Sequence, residues 1–127
     1  MILVDTSVWI RLMRGGLQIS RQDLDGFATC SPIMQEVFQG LPDSRQSEVV
    51  RRAFRAMERL SDPLPLDLFL EASEIYRHGR RKGLTIRSSH DCLIAAIAIE
   101  NSISLWHSDR DFDAIEQFTR LRVHRPN

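Results

Sequence analysis

His90-Asp91-Cys92-Leu93-Ile94-Ala95-Ala96-Ile97-Ala98-Ile99-Glu100 is the stretch on which the fold turns. Eight consecutive apolar residues, Cys92 to Ile99, follow a single acid. A helix built from them is apolar nearly all round, so it belongs at the centre of a protein and not on its surface. Ser88 or Ser89 is placed to cap it. Eight residues also fall well short of the roughly 18 that a membrane-crossing helix needs. Asp91 therefore sits in the first turn of a helix that has no wet face.

Outward from this helix the chain alternates between short apolar runs and amphipathic ones. Toward the C-terminus, Ile103–Trp106 reads as a strand, Phe112–Phe118 as a short helix and Leu121–Val123 as a last strand. Toward the N-terminus, Asp67 is placed to cap a helix that runs to Arg81 and stops at Gly83. Pro63-Leu64-Pro65-Leu66 is a connection or a short edge strand. Ser44–Leu60 predicts a helix, with Val49, Val50, Ala53, Phe54, Met57 and Leu60 on one face and five arginines on the other. Ser31-Pro32 starts a helix ending at Gly40, with Ser31 as cap and Pro32 in the first turn. Phe27–Cys30 is a strand, and 17–26 is polar with room for a short helix. At the N-terminus, Ile2-Leu3-Val4-Asp5 is a buried strand closing on an acid. Thr6 or Ser7 then caps a helix through Met13, stopped by Arg14-Gly15-Gly16. Short strands alternating with helices make an α/β fold with a mainly parallel central β-sheet flanked by α-helices, and residues 1–127 form one domain.

In such sheets ligands bind beyond the carboxyl ends of the strands, where the strand order reverses. Asp5 ends the first strand, and Asp109 and Asp111 follow the Trp106 strand, so these acids face one crevice. Asp91 and Glu36 are acids beside residues that should be buried. Each has a plain reading when taken alone: a helix-terminal acid, a solvated side chain, or a capping turn for Asp109-Arg110-Asp111-Phe112-Asp113. Together they raise a problem of charge. Two carboxylates about 5 Å apart repel by roughly 3 kcal/mol at an effective dielectric near 20. Several such pairs are too much for a domain of ~5–15 kcal/mol total stability unless protons or cations intervene. An all-oxygen set selects Mg²⁺ or Mn²⁺ over zinc. The two cysteines, Cys30 and Cys92, have neither zinc spacing nor a disulfide pattern and fit a cytoplasmic chain.

Four motifs in order carry a family resemblance: Val4-Asp5-Thr6-Ser7, Glu36 after Ser31-Pro32, Ser89-His90-Asp91-Cys92-Leu93-Ile94-Ala95-Ala96, and Ser108-Asp109-Arg110-Asp111-Phe112. Together they resemble a PIN domain, and size and motif order are similar to the VapC toxin ribonucleases of type II toxin–antitoxin pairs. The resemblance implies an Mg²⁺- or Mn²⁺-dependent endoribonuclease that cuts RNA, tRNA or another structured RNA, to arrest translation, leaving a 5′ phosphate and a 3′ hydroxyl. Asp5, Glu36, Asp91 and Asp109 match the catalytic acids; Asp5, Asp91, Asp109 and, in a lower rank, Asp111 match the metal ligands. Thr6 and Ser7 stand where the family places a hydroxyl near the site. Asp113 matches no site acid, and His90 and His107 match no catalytic role. The resemblance further implies a homodimer and a complex with a VapB-like antitoxin, received by apolar residues near the first helix and the Pro42–Leu60 region. The alternatives are an RNA-processing PIN nuclease outside any toxin pair and an inactive RNA- or protein-binding PIN module.

Other Asp-bearing α/β enzymes fit less well. A dehalogenase-like phosphatase wants a second Asp where Ser7 stands. A receiver domain wants a late Lys after a strand, and the only Lys is Lys82 in an Arg run. A metal-free ribonuclease would use paired histidines.

Seventeen basic residues balance seventeen acidic ones, which on its face argues against a nucleic-acid partner. Sixteen of the basic residues are Arg, suited to phosphate. Setting aside Asp5, Glu36, Asp91, Asp109 and Asp111 as metal-neutralised leaves twelve acids against those seventeen bases. The expectation is an acidic hole in a basic rim. Arg77, Arg80, Arg81, Lys82 and Arg87 are favoured for RNA over the arginine face of 45–59.

Overall fold

The computed structural model describes residues 1–15 and 20–126. Its elements run β1 (Ile2–Val4), α1 (Thr6–Met13), α2 (Arg21–Asp25), β2 (Phe27–Thr29), α3 (Ser31–Gln39), α4 (Arg45–Ala56), β3 (Glu58–Arg59), α5 (Leu66–Arg81), α6 (Ser89–Glu100), β4 (Ser104–Trp106) and α7 (Arg110–Glu116). The expected stop at Gly16 and the start of the 17–26 segment lie outside the described residues; within the rest of that segment α2 forms, closed by a capping box between Ser20 and Asp23.

The four strands form one parallel sheet in the order β3-β2-β1-β4. Ile2 pairs with Phe27 on one side and with Ser104 on the other, so the strand order reverses at β1. The crevice beyond the carboxyl ends of β1 and β4 is thus the place a parallel sheet offers a ligand. The backbone closes around it: the Asp5 amide donates to the Trp106 carbonyl at 2.9 Å.

The α6 helix is buried on nearly every side, from Asp91 and Cys92 through Ala98, as its composition demands. Its alanines let α5 pack close along it. Gly79 is part of the same close approach: a Cβ there would meet Ile86 Cδ1 at 2.5 Å and Phe118 Cζ at 3.2 Å. The missing side chain lets residues 84–88 run back over α5 and deliver Ser88 to the start of α6.

Several local boundaries differ from the sequence expectation, each for a physical reason. α4 ends at Ala56 and not at Leu60, because Met57 turns extended (φ −74°, ψ 149°) and Glu58–Arg59 pairs with β2 as β3. Leu60 keeps its apolar role by burial, and its amide donates to the Thr29 carbonyl at 2.9 Å. The edge strand is β3, and Pro63–Pro65 is a connection ahead of α5. Leu121–Val123 makes only a single bridge, Leu105 to Val123. Caps shift too. Asp5 caps α1 in place of Thr6 or Ser7, Cys30 takes the cap position of α3 without a side-chain bond, and Pro65 precedes α5 with Asp67 in its first turn. α7 starts at Arg110 and ends at Glu116, capped by Asp109, so both acids that follow strands double as helix caps.

Candidate metal centre

Three acids converge where α6 and α7 begin. One oxygen each from Asp91, Asp109 and Asp111 lies within 4.8 Å of the others. The fold brings them together because Ser88 caps α6 through the Asp91 amide while Asp109 caps α7 through the Asp111 amide at 2.9 Å. Both helix starts are thereby pinned at one end of the sheet.

The three acids are not equivalent. Asp111 is buried and held by the backbone: Oδ2 accepts from the Arg87 and Ser88 amides at 3.1 and 3.0 Å, and Oδ1 accepts from Arg87 Nε at 3.4 Å. Asp109 is a third exposed, and its Oδ1 lies 3.9 Å from an Arg87 guanidinium nitrogen. Asp91 is buried, and its Oδ2 has no donor among the described residues. Burial first, then the charges of Asp109, Asp5 and Asp111, push the Asp91 carboxyl up to about 8.

Asp5 and Glu36 stand beside this triangle, each held by hydroxyls. Asp5 Oδ2 accepts from the Ser7 amide at 3.0 Å and from Ser7 Oγ at 2.5 Å, and Ser7 Oγ in turn accepts from the Ser108 amide at 3.0 Å. Its other oxygen, Oδ1, is buried without a partner among the described residues. Burial raises the Asp5 carboxyl; the Ser7 bonds oppose that rise and the Glu36 charge adds to it. Glu36 is partly exposed on α3, where its Oε1 accepts from Thr6 Oγ1 at 2.9 Å and lies 3.2 Å from His90 Nε2. His90 Nε2 also lies 3.2 Å from the Pro32 carbonyl. Asp91 and His90 thus serve different places from adjacent positions, since neighbouring side chains on a helix diverge.

These residues fit a hard divalent cation. Every donor is oxygen, two buried carboxylate oxygens lack a partner among the described residues, and neighbouring charges raise the proton affinity of Asp5 and Asp91. A cation would relieve both the unpartnered oxygens and the crowded charge, and its ligand set would be the all-oxygen kind that Mg²⁺ and Mn²⁺ prefer.

Sequence reasoning did not find Ser108 as the third member of the Asp5–Ser7 link, nor the paired Arg87 and Ser88 amides that hold Asp111. Backbone amides carry no residue-type signal. The His90–Glu36 proximity had one faint signal: a histidine next to a site acid, pointing about 100° away from it around the helix. Of the favoured basic group, Arg87 is the member that touches the acids. On the α4 face Arg51 pairs with Glu48, and beyond the helix Arg59 pairs with Asp62.

Comparison with known proteins agrees with this geometry. Residues 2–117 match the PIN domain family. Ribonuclease VapC11 of Mycobacterium tuberculosis is 35% identical over 131 residues, spanning 97% of this chain and 97% of that protein. The fold superposes on DNA-bound VapBC from Salmonella typhimurium with a TM-score of 0.73, at 17% identity over 97% of this chain and 96% of that one. VapBC2 from Rickettsia felis, bound to a DNA fragment from its promoter, gives 0.71 at 16% identity with 100% of both chains covered. A parallel sheet with reversed strand order, acids gathered at the reversal and a full-length match to a VapC ribonuclease lead to one conclusion: the chain belongs to the PIN-domain family, among its VapC ribonucleases.

Proposed function

We propose that this chain, a single PIN unit over 1–127, is a cytoplasmic Mg²⁺- or Mn²⁺-dependent endoribonuclease and the toxin of a type II toxin–antitoxin pair. The observation that carries this is the pair of buried carboxylate oxygens on Asp5 and Asp91 that have no donor among the described residues, beside acids whose charges raise the proton affinity of these two. Asp5, Asp91 and Asp109 would hold the ion, with Asp111 completing the set through Oδ1. When bound, the ion supplies Lewis acidity, which activates water toward phosphorus and offsets charge on the phosphate oxygens.

The chain's own residues do the rest. Ser7 holds Asp5 in one rotamer and ties it to the Ser108 loop. Asp111 locks the 87–88 backbone and so the start of α6 that bears Asp91. Glu36, held by Thr6, sits at the open side of the site and is suited to orient water. Arg87, half exposed, offsets the phosphate charge as RNA approaches. A water oxygen bonds to phosphorus, the bond to the 3′ oxygen breaks, and the departing oxygen takes a proton, leaving a 5′ phosphate and a 3′ hydroxyl. Structured RNA, tRNA first, is the substrate class.

The antitoxin is a VapB-like protein. A groove of about 310 Å³ between α1 and α4, lined by Trp9, Leu12, Met13, Val49, Val50 and Phe54, is suited to its apolar segment. Val49 and Met13 are exposed there, which supports a partner that covers them. Exposed Phe69, Leu70 and Tyr76 on α5 are the face proposed for a second copy.

The test is cleavage of total tRNA by the purified protein. It should proceed with Mg²⁺ or Mn²⁺, stop with EDTA and fail in Asp91→Asn. Metal-independent cleavage that survives Asp91→Asn would sink the mechanism. For the toxin role, expression should arrest growth and co-expression of a small adjacent gene should relieve the arrest.

A further inference from the structure

A second cleft shares a wall with the metal centre. It holds about 390 Å³ and is formed by the β4–α7 connection (Trp106 to Arg110), the last turn of α1 (Arg11) and the segment Val123–Pro126. Asp109 belongs to both the cleft and the acid triangle, so the two adjoin.

The chemistry of the cleft is cationic and aromatic. Arg11, Arg110 and Arg125 line it against Asp109 and Asp113. Arg125 is committed to Glu116 through two bonds, the shorter 2.8 Å. Arg11 donates to the uncharged Ser108 Oγ, and neither Arg11 nor Arg110 makes an ion pair among the described residues. Trp106 and His124 meet edge to face, centroids 5.6 Å apart, on the cleft wall. His107 is 94% buried by side chain, and its Nδ1 accepts from the Asp109 amide at 3.2 Å, so the ring proton is on Nε2. That Nε2 has no hydrogen-bond partner among the described residues; Asp113 Oδ1 of the same cleft is 3.8 Å away. The cleft therefore holds guanidinium charge without an ion-pair partner among the described residues, next to a site that must draw in a polyanion.

We propose that this cleft is the nucleotide subsite beside the scissile bond, where Arg11 and Arg110 take the neighbouring RNA phosphate and the Trp106–His124 wall carries its nucleoside. This rests on the nuclease reading above and deepens it, naming the residues that grip the substrate. Arg11 and Arg110 lie outside both basic groups that the sequence favoured. They are better placed than the α4 face because they line the cleft that shares Asp109 with the acid triangle.

The test measures binding of fluorescein-labelled total tRNA to the Asp91→Asn protein in Mg²⁺, across a series of KCl concentrations. Wild-type cleavage of the same RNA, run alongside, tests the nuclease reading separately. Arg11→Ala and Arg110→Ala should each weaken binding about tenfold and flatten the log Kd against log salt slope by about 0.7. His124→Ala should weaken binding about fivefold or more with the slope unchanged. Arg120→Ala, at the far end of the sheet beside Ser102 and Ile103, should leave both readouts unchanged. If the two arginine variants bind with wild-type affinity and slope while wild type cleaves, the subsite is wrong and the nuclease reading stands. An effect confined to Arg11→Ala, with weaker Mn²⁺ binding, would assign it to the Ser108 loop and also overturn the subsite. If wild type cleaves no RNA with either metal, the nuclease reading falls and takes the subsite with it.

Discussion

Asp91 and Asp111 lie in the same triangle, are equally buried, and live in opposite electrostatic worlds. Asp111 accepts two backbone amides and lies beside an arginine, so its charge is compensated by the fold. Asp91 has one oxygen without any donor and three acids around it. The difference separates two uses of a buried carboxylate. One builds the site by tying its loops together; the other is left uncompensated, at a cost in stability, so that something from outside can compensate it. Asp5 is intermediate, with one oxygen bonded to Ser7 and one orphaned.

The comparison breaks most directly with paired variants. Asp91→Asn should reduce RNA cleavage roughly 100-fold or more, the scale of removing one preorganised electrostatic group. In metal-free buffer at neutral pH the same variant should melt about 5 °C higher than wild type, because Asn is neutral without the proton that the fold must take up to bury Asp91. Asp111→Ala should do the reverse to stability. It strands two partly buried amides and should cost about 1 kcal/mol, read as a lower midpoint in urea, with or without Mg²⁺. If Asp91→Asn melts lower than wild type without metal, the two acids are alike and the distinction fails.

A pH series sharpens it further. Asp91 titrates at about 8 in the folded protein and in the ordinary carboxylate range when unfolded. Between those limits the folded state holds more protons, so stability falls as pH rises, by up to ~1.4 kcal/mol per unit. Burial lowers the His107 imidazole, and that contribution has the opposite sign: stability rises with pH and is complete above the ordinary histidine range. The window from neutral pH to about 8 therefore belongs to Asp91. Melting temperature without metal should fall across it, and saturating Mg²⁺ should flatten the fall. A flat profile without metal would show that Asp91 is already compensated.

Smaller effects follow from the hydroxyl links. Ser7→Ala removes one bond to Asp5 and the acceptor of the Ser108 amide, and should cost about 1 kcal/mol in denaturant unfolding. Cleavage should fall about tenfold, since Asp5 gains rotamer freedom. Arg51→Ala, on a surface pair with Glu48, should change unfolding free energy by no more than about 0.5 kcal/mol and cleavage by less than about twofold.

Legibility in the sequence followed periodicity and residue type. The run Cys92–Ile99 announced a buried helix, and the structure buries it. The Ser88-Ser89 pair announced the start of that helix, and Ser88 is the one that caps the Asp91 amide. β3 was hidden because Met57 and Leu60 continue the apolar spacing of α4; two residues are too few to show a period of two, and only the open edge of β2 recruits them. The partners of Asp111 were hidden because they are amides of Arg87 and Ser88, groups that every residue but proline carries. The arginine excess was legible as a count and not as a place: Arg87 lies at the acids, while Arg11 and Arg110 lie 76 and 23 positions from it along the chain and line a cleft that includes Asp109.

What the sequence alone determined was the inventory: an α/β fold, one helix that must be central, and five acids on segments that end near one edge of a parallel sheet. Those follow from hydrophobic period and from the rule that a buried charge needs a partner, both of which are local in the chain. What only the tertiary structure decided was the division of labour among the acids. Whether a carboxylate builds or binds depends on how many donors reach its two oxygens. Those donors arrive from residues 23, 24 or, through Ser7 to Ser108, 101 positions away, brought there by packing that no window of sequence contains.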